Sequence, residues 1–101
     1  MGLLDFLFGN KTDDIKSFQQ AGAIIIDVRT PSEYKQGAIK GSKNIPLQNI
    51  KSNIKDIQQL NKPVITCCAS GMRSANAASI LNANGIQALN GGGWTNLKHK
   101  L

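Results

Sequence analysis

Within the short stretch Cys67-Cys68-Ala69-Ser70-Gly71-Met72-Arg73-Ser74 lie both cysteines of the chain and one of its arginines. Thiol, glycine and guanidinium at this spacing suit nucleophilic chemistry on a small anion. Upstream, Val64-Ile65-Thr66 is a β-branched run, the mark of a buried strand. Downstream, Ser74 opens a helix predicted over residues 75–84. A strand entering a helix through such a loop gathers backbone N–H groups and the positive end of the helix dipole around one spot. A cysteine there loses its proton readily, whereas a free cysteine titrates near ~8.5. Residues 69–74 can supply N–H donors to a sulfur anion. Gly71 allows a tight backbone path. Arg73 adds a permanent charge able to bind an anion.

Each of these residues also has a plainer reading. Cysteine is often a small buried hydrophobe. For Cys68, ahead of Gly71 and Arg73 at a helix start, catalysis is the better reading. For Cys67 packing is better, because strand alternation points it away from Cys68. Arg73 either braces the loop or contacts substrate, and both stay open. Ser70 and Ser74 read as loop and helix-cap donors. Trp94 reads as packing and His99 as an exposed tail residue.

The rest of the chain must position this loop. Residues 1–11, which include the apolar Met1-Gly2-Leu3-Leu4-Asp5-Phe6-Leu7-Phe8-Gly9, read as an N-terminal arm, and residues 12–101 as one domain. Thr12 is the predicted N-cap of a first helix that Gly22 ends. Residues 23–28 are apolar on both faces, as in a central parallel strand. Thr30-Pro31-Ser32-Glu33 is a capping box with proline at the first helical position. A short strand is expected near Asn44-Ile45. Leu47, Ile50, Ile54, Ile57 and Leu60 predict one amphipathic helix. In the helix after the loop, Ala75, Ala78 and Leu81 are the expected buried face. Residues 86–89 read as a last strand, Asn90-Gly91-Gly92-Gly93 as a flexible turn, and residues 94–101 as a final helix. Alternating strands and helices predict an α/β fold, a parallel sheet of four or five strands flanked by helices on both faces. Ligands of such sheets bind beyond the carboxyl ends of the strands, where Asp27 and Cys68 both fall.

Length and composition fit one small core. Adjacent cysteines cannot staple distant segments, which points to a reducing, cytoplasmic setting. No apolar run is long enough to span a membrane. The formal charge of +6 comes mostly from scattered lysines, without the clustered arginines or recognisable module of a nucleic-acid binder. Such a surface would draw small anions.

Residues 26–29, Ile-Asp-Val-Arg, followed by Glu33-Tyr34, Gly37, Ile39, Gly41 and Asn44-Ile45-Pro46, resemble the first signature of the single-domain rhodaneses. Residues 68–74 resemble that family's active-site loop, and Gly91-Gly92 with Trp94 its closing segment. The chain departs at Ala38, where many members have histidine, at Cys67, commonly apolar or aromatic, and at Ala69, often basic. The resemblance implies a rhodanese-like fold and sulfurtransferase activity. Cys68 would be the nucleophile, carrying sulfur as a persulfide. Ala69, Ser70, Gly71, Met72, Arg73 and Ser74 would surround the substrate, and Asp27, Arg29 and Glu33 would form an ion-pair set beneath the loop. The implied donor is a small sulfur anion such as thiosulfate. The implied acceptor is cyanide or a thiol, a protein thiol included. No metal or cofactor is required.

Two other readings stand beside this one. Counted from Cys67, the spacing to Arg73 is the Cys-x5-Arg of a cysteine phosphatase or arsenate reductase. Counted from Cys68 it is one residue shorter. A non-catalytic binding module is the third reading.

Overall fold

The computed structural model describes residues 11–101, so the expected N-terminal arm, Lys11 apart, lies outside the described residues. Helix α1, Lys11–Gln20, is followed by β1, Ile24–Asp27, and α2, Pro31–Lys35. Strand β2, Lys43–Asn44, leads through two 3-10 turns, Leu47–Asn49 and Lys51–Asn53, into α3, Ile54–Leu60. Strand β3, Val64–Cys68, runs into α4, Met72–Ala83, and the chain closes with β4, Ala88–Gly93, and α5, Trp94–Lys100. The four strands form one parallel sheet in the order β2-β1-β3-β4. No helix among the described residues is long and apolar enough to cross a membrane.

Period-two alternation divides the core between the two faces of the sheet. Ile26, Val28, Val64 and Cys68 pack with Ile57 of α3 and Ala77, Ala78 and Leu81 of α4. Ile65 and Cys67 pack on the other side with Ile15 of α1 and Leu97 of α5. Side chains such as Ile26, Ile65 and Leu81 are fully buried, and each contributes about 1.5–3 kcal/mol relative to exposure. With both faces covered, the strands read as apolar runs rather than alternating ones.

Four local expectations differ from the structure. Thr12 lies inside α1 rather than capping it. The helix expected over residues 47–60 is broken into two 3-10 turns and α3. Ser52 Oγ and Asn53 Nδ2 both donate to the Asn49 carbonyl, at 2.9 and 2.8 Å, which competes with a continuous helical ladder. Helix α4 starts at Met72, earlier than expected, so Ala77 is buried and Ala75 exposed. Finally, Asn90-Gly91-Gly92-Gly93 is strand rather than turn, with a register shift opposite Thr66 and Cys68. A Cβ on Gly91 would lie 2.7 Å from the Thr66 carbonyl oxygen and 2.8 Å from Ile65 Cγ2. The missing side chains let β4 lie against β3 and the loop that follows it.

Candidate active site

Cys68 is the last residue of β3, and Ala69-Ser70-Gly71 joins it to α4. Gly71 holds φ at +110°, a conformation that side chains disfavour. The turn aims amides back at the sulfur. Cys68 Sγ accepts the Gly71 N–H at 2.9 Å and the Ser74 N–H at 3.4 Å, and lies 3.4 Å from Ser74 Oγ. Burial pushes the Cys68 thiol up, but hydrogen bonds from the Ser74 hydroxyl and amide and from the Gly71 and Ser70 amides outweigh it. The thiol settles below its ordinary value.

Cys67, one residue earlier, lies under the opposite face of the sheet beside Asp27, its partner in register on β1. Burial, then the Asp27 carboxylate, pushes its thiol up to about 12. Burial there favours the neutral thiol, and Cys67 packs on the sheet face opposite the Gly71 and Ser74 amides that reach Cys68.

Beneath the loop, Arg29 grips Asp27. Its Nε donates to Oδ1 and Oδ2 at 2.9 and 3.0 Å, and Nη2 donates to Oδ2 at 2.7 Å. Nη2 also reaches the Gly37 carbonyl at 2.7 Å, and the guanidinium lies 4.7 Å from the centre of the Trp94 ring. Glu33 belongs to a different pair. Its carboxylate accepts Arg73 Nη1 and Nη2 at 2.8 and 3.0 Å and closes the capping box on Thr30. The Arg73 guanidinium, helped by the Thr30 amide, holds the Glu33 carboxyl down to about 2.

A family model described as "Rhodanese-like domain" matches residues 11–99. The chain belongs to the rhodanese-like domain family. Its sequence is 42% identical over 73 residues to the Bacillus subtilis (strain 168) "Uncharacterized protein YqhL", covering 69% of this chain and 57% of that protein. It is 38% identical over 61 residues to "Thiosulfate sulfurtransferase PspE" of Escherichia coli (strain K12), covering 59% of each. The chain thus spans under two thirds of the length of these curated relatives. The crystal structure of a rhodanese-like domain protein from Staphylococcus aureus superposes with a TM-score of 0.70 at 35% identity, covering 86% of each chain.

In this rhodanese-like loop the predicted residues divide. Gly71 and Ser74 touch the sulfur. Ala69 and Ser70 are exposed on the loop, and Met72 is 82% exposed. Arg73 donates to the Glu33 carboxylate and not to loop carbonyls, so the expected set of Asp27, Arg29 and Glu33 holds two ion pairs, Arg29–Asp27 and Arg73–Glu33, joined where Arg29 Nη1 donates to the Glu33 backbone carbonyl at 3.3 Å. Ser74 is the third residue of α4 rather than the cap, and its Oγ lies 2.6 Å from Asn90 Oδ1 and 3.0 Å from the Gly71 carbonyl. Trp94 packs and His99 is exposed, as expected.

Asn44 and Asn90 have structural roles that their places in the sequence do not signal. Asn44 Nδ2 donates to the carbonyls of Asp27 and Arg29, at 3.0 and 2.9 Å, and so fixes the end of β1. Asn90 reaches the loop from β4, with Oδ1 2.6 Å from Ser74 Oγ and Nδ2 3.4 Å from the Gly71 carbonyl. A glycine-rich run gives no signal for either the strand or its register. A cavity of about 250 Å³ opens beside the loop, between Val28, Thr30, Leu47 and Arg73. A larger one, about 440 Å³, lies at the amino ends of the strands around Pro63 and Gln87, away from the cysteine chemistry.

Proposed function

We propose that this rhodanese-like domain is a sulfurtransferase that carries sulfur as a persulfide on Cys68. The supporting observation is a single sulfur at the carboxyl end of β3 with N–H donors at 2.9 and 3.4 Å and a depressed thiol. The thiolate attacks the outer sulfur of a donor such as thiosulfate. A Cys68–S bond forms, the donor S–S bond breaks, and sulfite leaves with the electron pair. An acceptor, cyanide or a thiol, then attacks the outer persulfide sulfur, and Cys68 departs as the thiolate. The loop amides favour both anions because they already point at the sulfur before reaction. Arg73, though paired with Glu33, is 37% exposed at its side chain and offers outward N–H groups to an anionic donor. Ala69, Ser70 and Met72 form the rim that substrate passes. Asp27 and Arg29 support the loop, and Glu33 orients Arg73. We take residues 12–101 as the catalytic unit, working in the cytoplasm with both thiols free.

The test is intact-mass measurement after thiosulfate treatment. One added sulfur atom, removed by cyanide, is expected for the native chain and for Cys67→Ser, and none for Cys68→Ser. Loading of Cys68→Ser but not of Cys67→Ser would overturn the assignment.

A further inference from the structure

Asn90 lies behind Ser74, one step removed from the sulfur. Its Oδ1 lies 2.6 Å from Ser74 Oγ and accepts the Gly92 N–H at 2.9 Å. An amide N–H can only donate, so the atom facing Gly92 must be the carboxamide oxygen. Asn90 Nδ2 then faces the Gly71 carbonyl, at 3.4 Å. With its oxygen fixed as an acceptor, the close approach of Ser74 Oγ requires that the hydroxyl donate its single proton to Asn90. The Gly71 carbonyl, 3.0 Å from the same hydroxyl, is the longer alternative. Ser74 therefore turns a lone pair towards Cys68, and the thiol S–H donates to it at 3.4 Å. The result is a directed chain, from Cys68 S–H to Ser74 O–H to the Asn90 carbonyl.

We infer that Asn90 is a positioning residue that competes with Cys68 for the Ser74 hydroxyl proton, and so sets the balance between the neutral sulfur and the thiolate. While Sγ is neutral, as thiol or as the inner sulfur of a persulfide, the hydroxyl stays on Asn90. When the S–H proton leaves to water, the hydroxyl turns from Asn90 to the anion, and Asn90 Oδ1 keeps only the Gly92 N–H. The persulfide clause rests on the proposed sulfur transfer, but the competition for the proton does not. The charged and titratable groups around the sulfur are Arg73, already paired with Glu33, and, under the other face of the sheet, Cys67 with Asp27 and Arg29. None of them hydrogen-bonds to Asn90.

Alkylation of Cys68 against pH, mapped by peptide, tests this. Asn90→Leu keeps the shape but cannot accept, so it releases the hydroxyl to the thiolate. Hydrogen bonds to charged groups are stronger than neutral ones, so the alkylation pKa should fall by about one unit. Because nucleophilicity falls with pKa, alkylation below the pKa should be roughly threefold faster. Asn90→Ala, which removes volume instead of replacing it, should shift the same way. Both should lose the shift when combined with Ser74→Ala, since the effect runs through that hydroxyl. A Cys68 that titrates in both variants at or above its native value, or like a free cysteine, would overturn the inference. So would an equal shift in the Ser74→Ala background. Sulfur loading by thiosulfate, measured separately, can fail without touching these outcomes.

Discussion

Asp27→Asn tests what the buried ion pair under the loop contributes. The side chains of Arg29 and Asp27 are 5% and 0% exposed. Three donors make four hydrogen bonds to the carboxylate, namely the Arg29 amide, Nε to both oxygens and Nη2. In asparagine one oxygen becomes an NH₂ group that faces an Arg29 donor across about 3 Å, and the guanidinium is left buried without its counter-charge. Breaking a buried pair in this way costs about 3–5 kcal/mol, a large part of the roughly 5–15 kcal/mol that holds a domain of this size. At about 4–8 °C per kcal/mol, the melting temperature should fall by roughly 12–40 °C. Contacts from Arg29 to the Gly37 carbonyl and Trp94 favour the lower end. Glu33→Gln is the control. That pair has the same chemistry and similar distances, but its side chains are 37% and 36% exposed, where water screens them. Its melting temperature should stay near that of the native chain. Thermal unfolding followed by circular dichroism, with two-state behaviour checked by calorimetry, reads both. An Asp27→Asn loss of under about 1 kcal/mol, or an equal loss in both variants, would refute the link between burial and cost.

Four other outcomes are expected. Cys68 should alkylate readily near neutral pH and Cys67 should not, because one thiol is held down and the other is pushed up to about 12; equal rates measured by peptide mapping would contradict this. A buried thiol with a raised pKa keeps its proton while the unfolded chain, near 9, loses it, so stability should fall by about 1.4 kcal/mol per pH unit from about pH 9 to 12. Urea unfolding of Cys67→Ala across that range should show a flatter alkaline limb. Gly91→Ala puts a methyl within 2.9 Å of Thr66 O, Ile65 Cγ2 and Leu97 Cδ2 and should cost about 1–3 kcal/mol in urea unfolding. Arg73→Ala should slow turnover of thiosulfate while leaving measurable activity, because the Gly71 and Ser74 amides remain; full loss in a steady-state assay would give the arginine a larger part.

The parallel sheet and the end of β3 were legible because buried parallel strands are written as continuous apolar runs, and because Thr30-Pro31-Ser32-Glu33 and Gly71 are local signals with local causes. The opposite directions of Cys67 and Cys68 followed from alternation alone. What escaped depends on partners distant in sequence. Glu33 meets Arg73 across the site, and nothing near either residue marks the pairing. Asn90-Gly91-Gly92-Gly93 has the composition of a turn, yet it is strand because β3 and its loop approach closely enough to exclude side chains. Asn90 owes its place beside Ser74 to that same close approach. The broken helix after Pro46 failed for a third reason. Its apolar spacing was correct, but Ser52 and Asn53 offer the backbone another partner, and spacing does not register that competition.

Glu33 serves two masters. One oxygen, Oε1, accepts the Thr30 amide at 3.0 Å and Arg73 Nη1 at 2.8 Å, so the carboxylate that starts α2 also holds the arginine of α4. The dependence runs one way. Were Arg73 to drift to a neutral residue, Glu33 would still have a helix to start. Were Glu33 to drift, Arg73 would lose its counter-ion and the capping box would open in the same event. A substitution at Arg73 thus leaves the cap of α2 in place, whereas one at Glu33 disturbs the cap and the ion pair together.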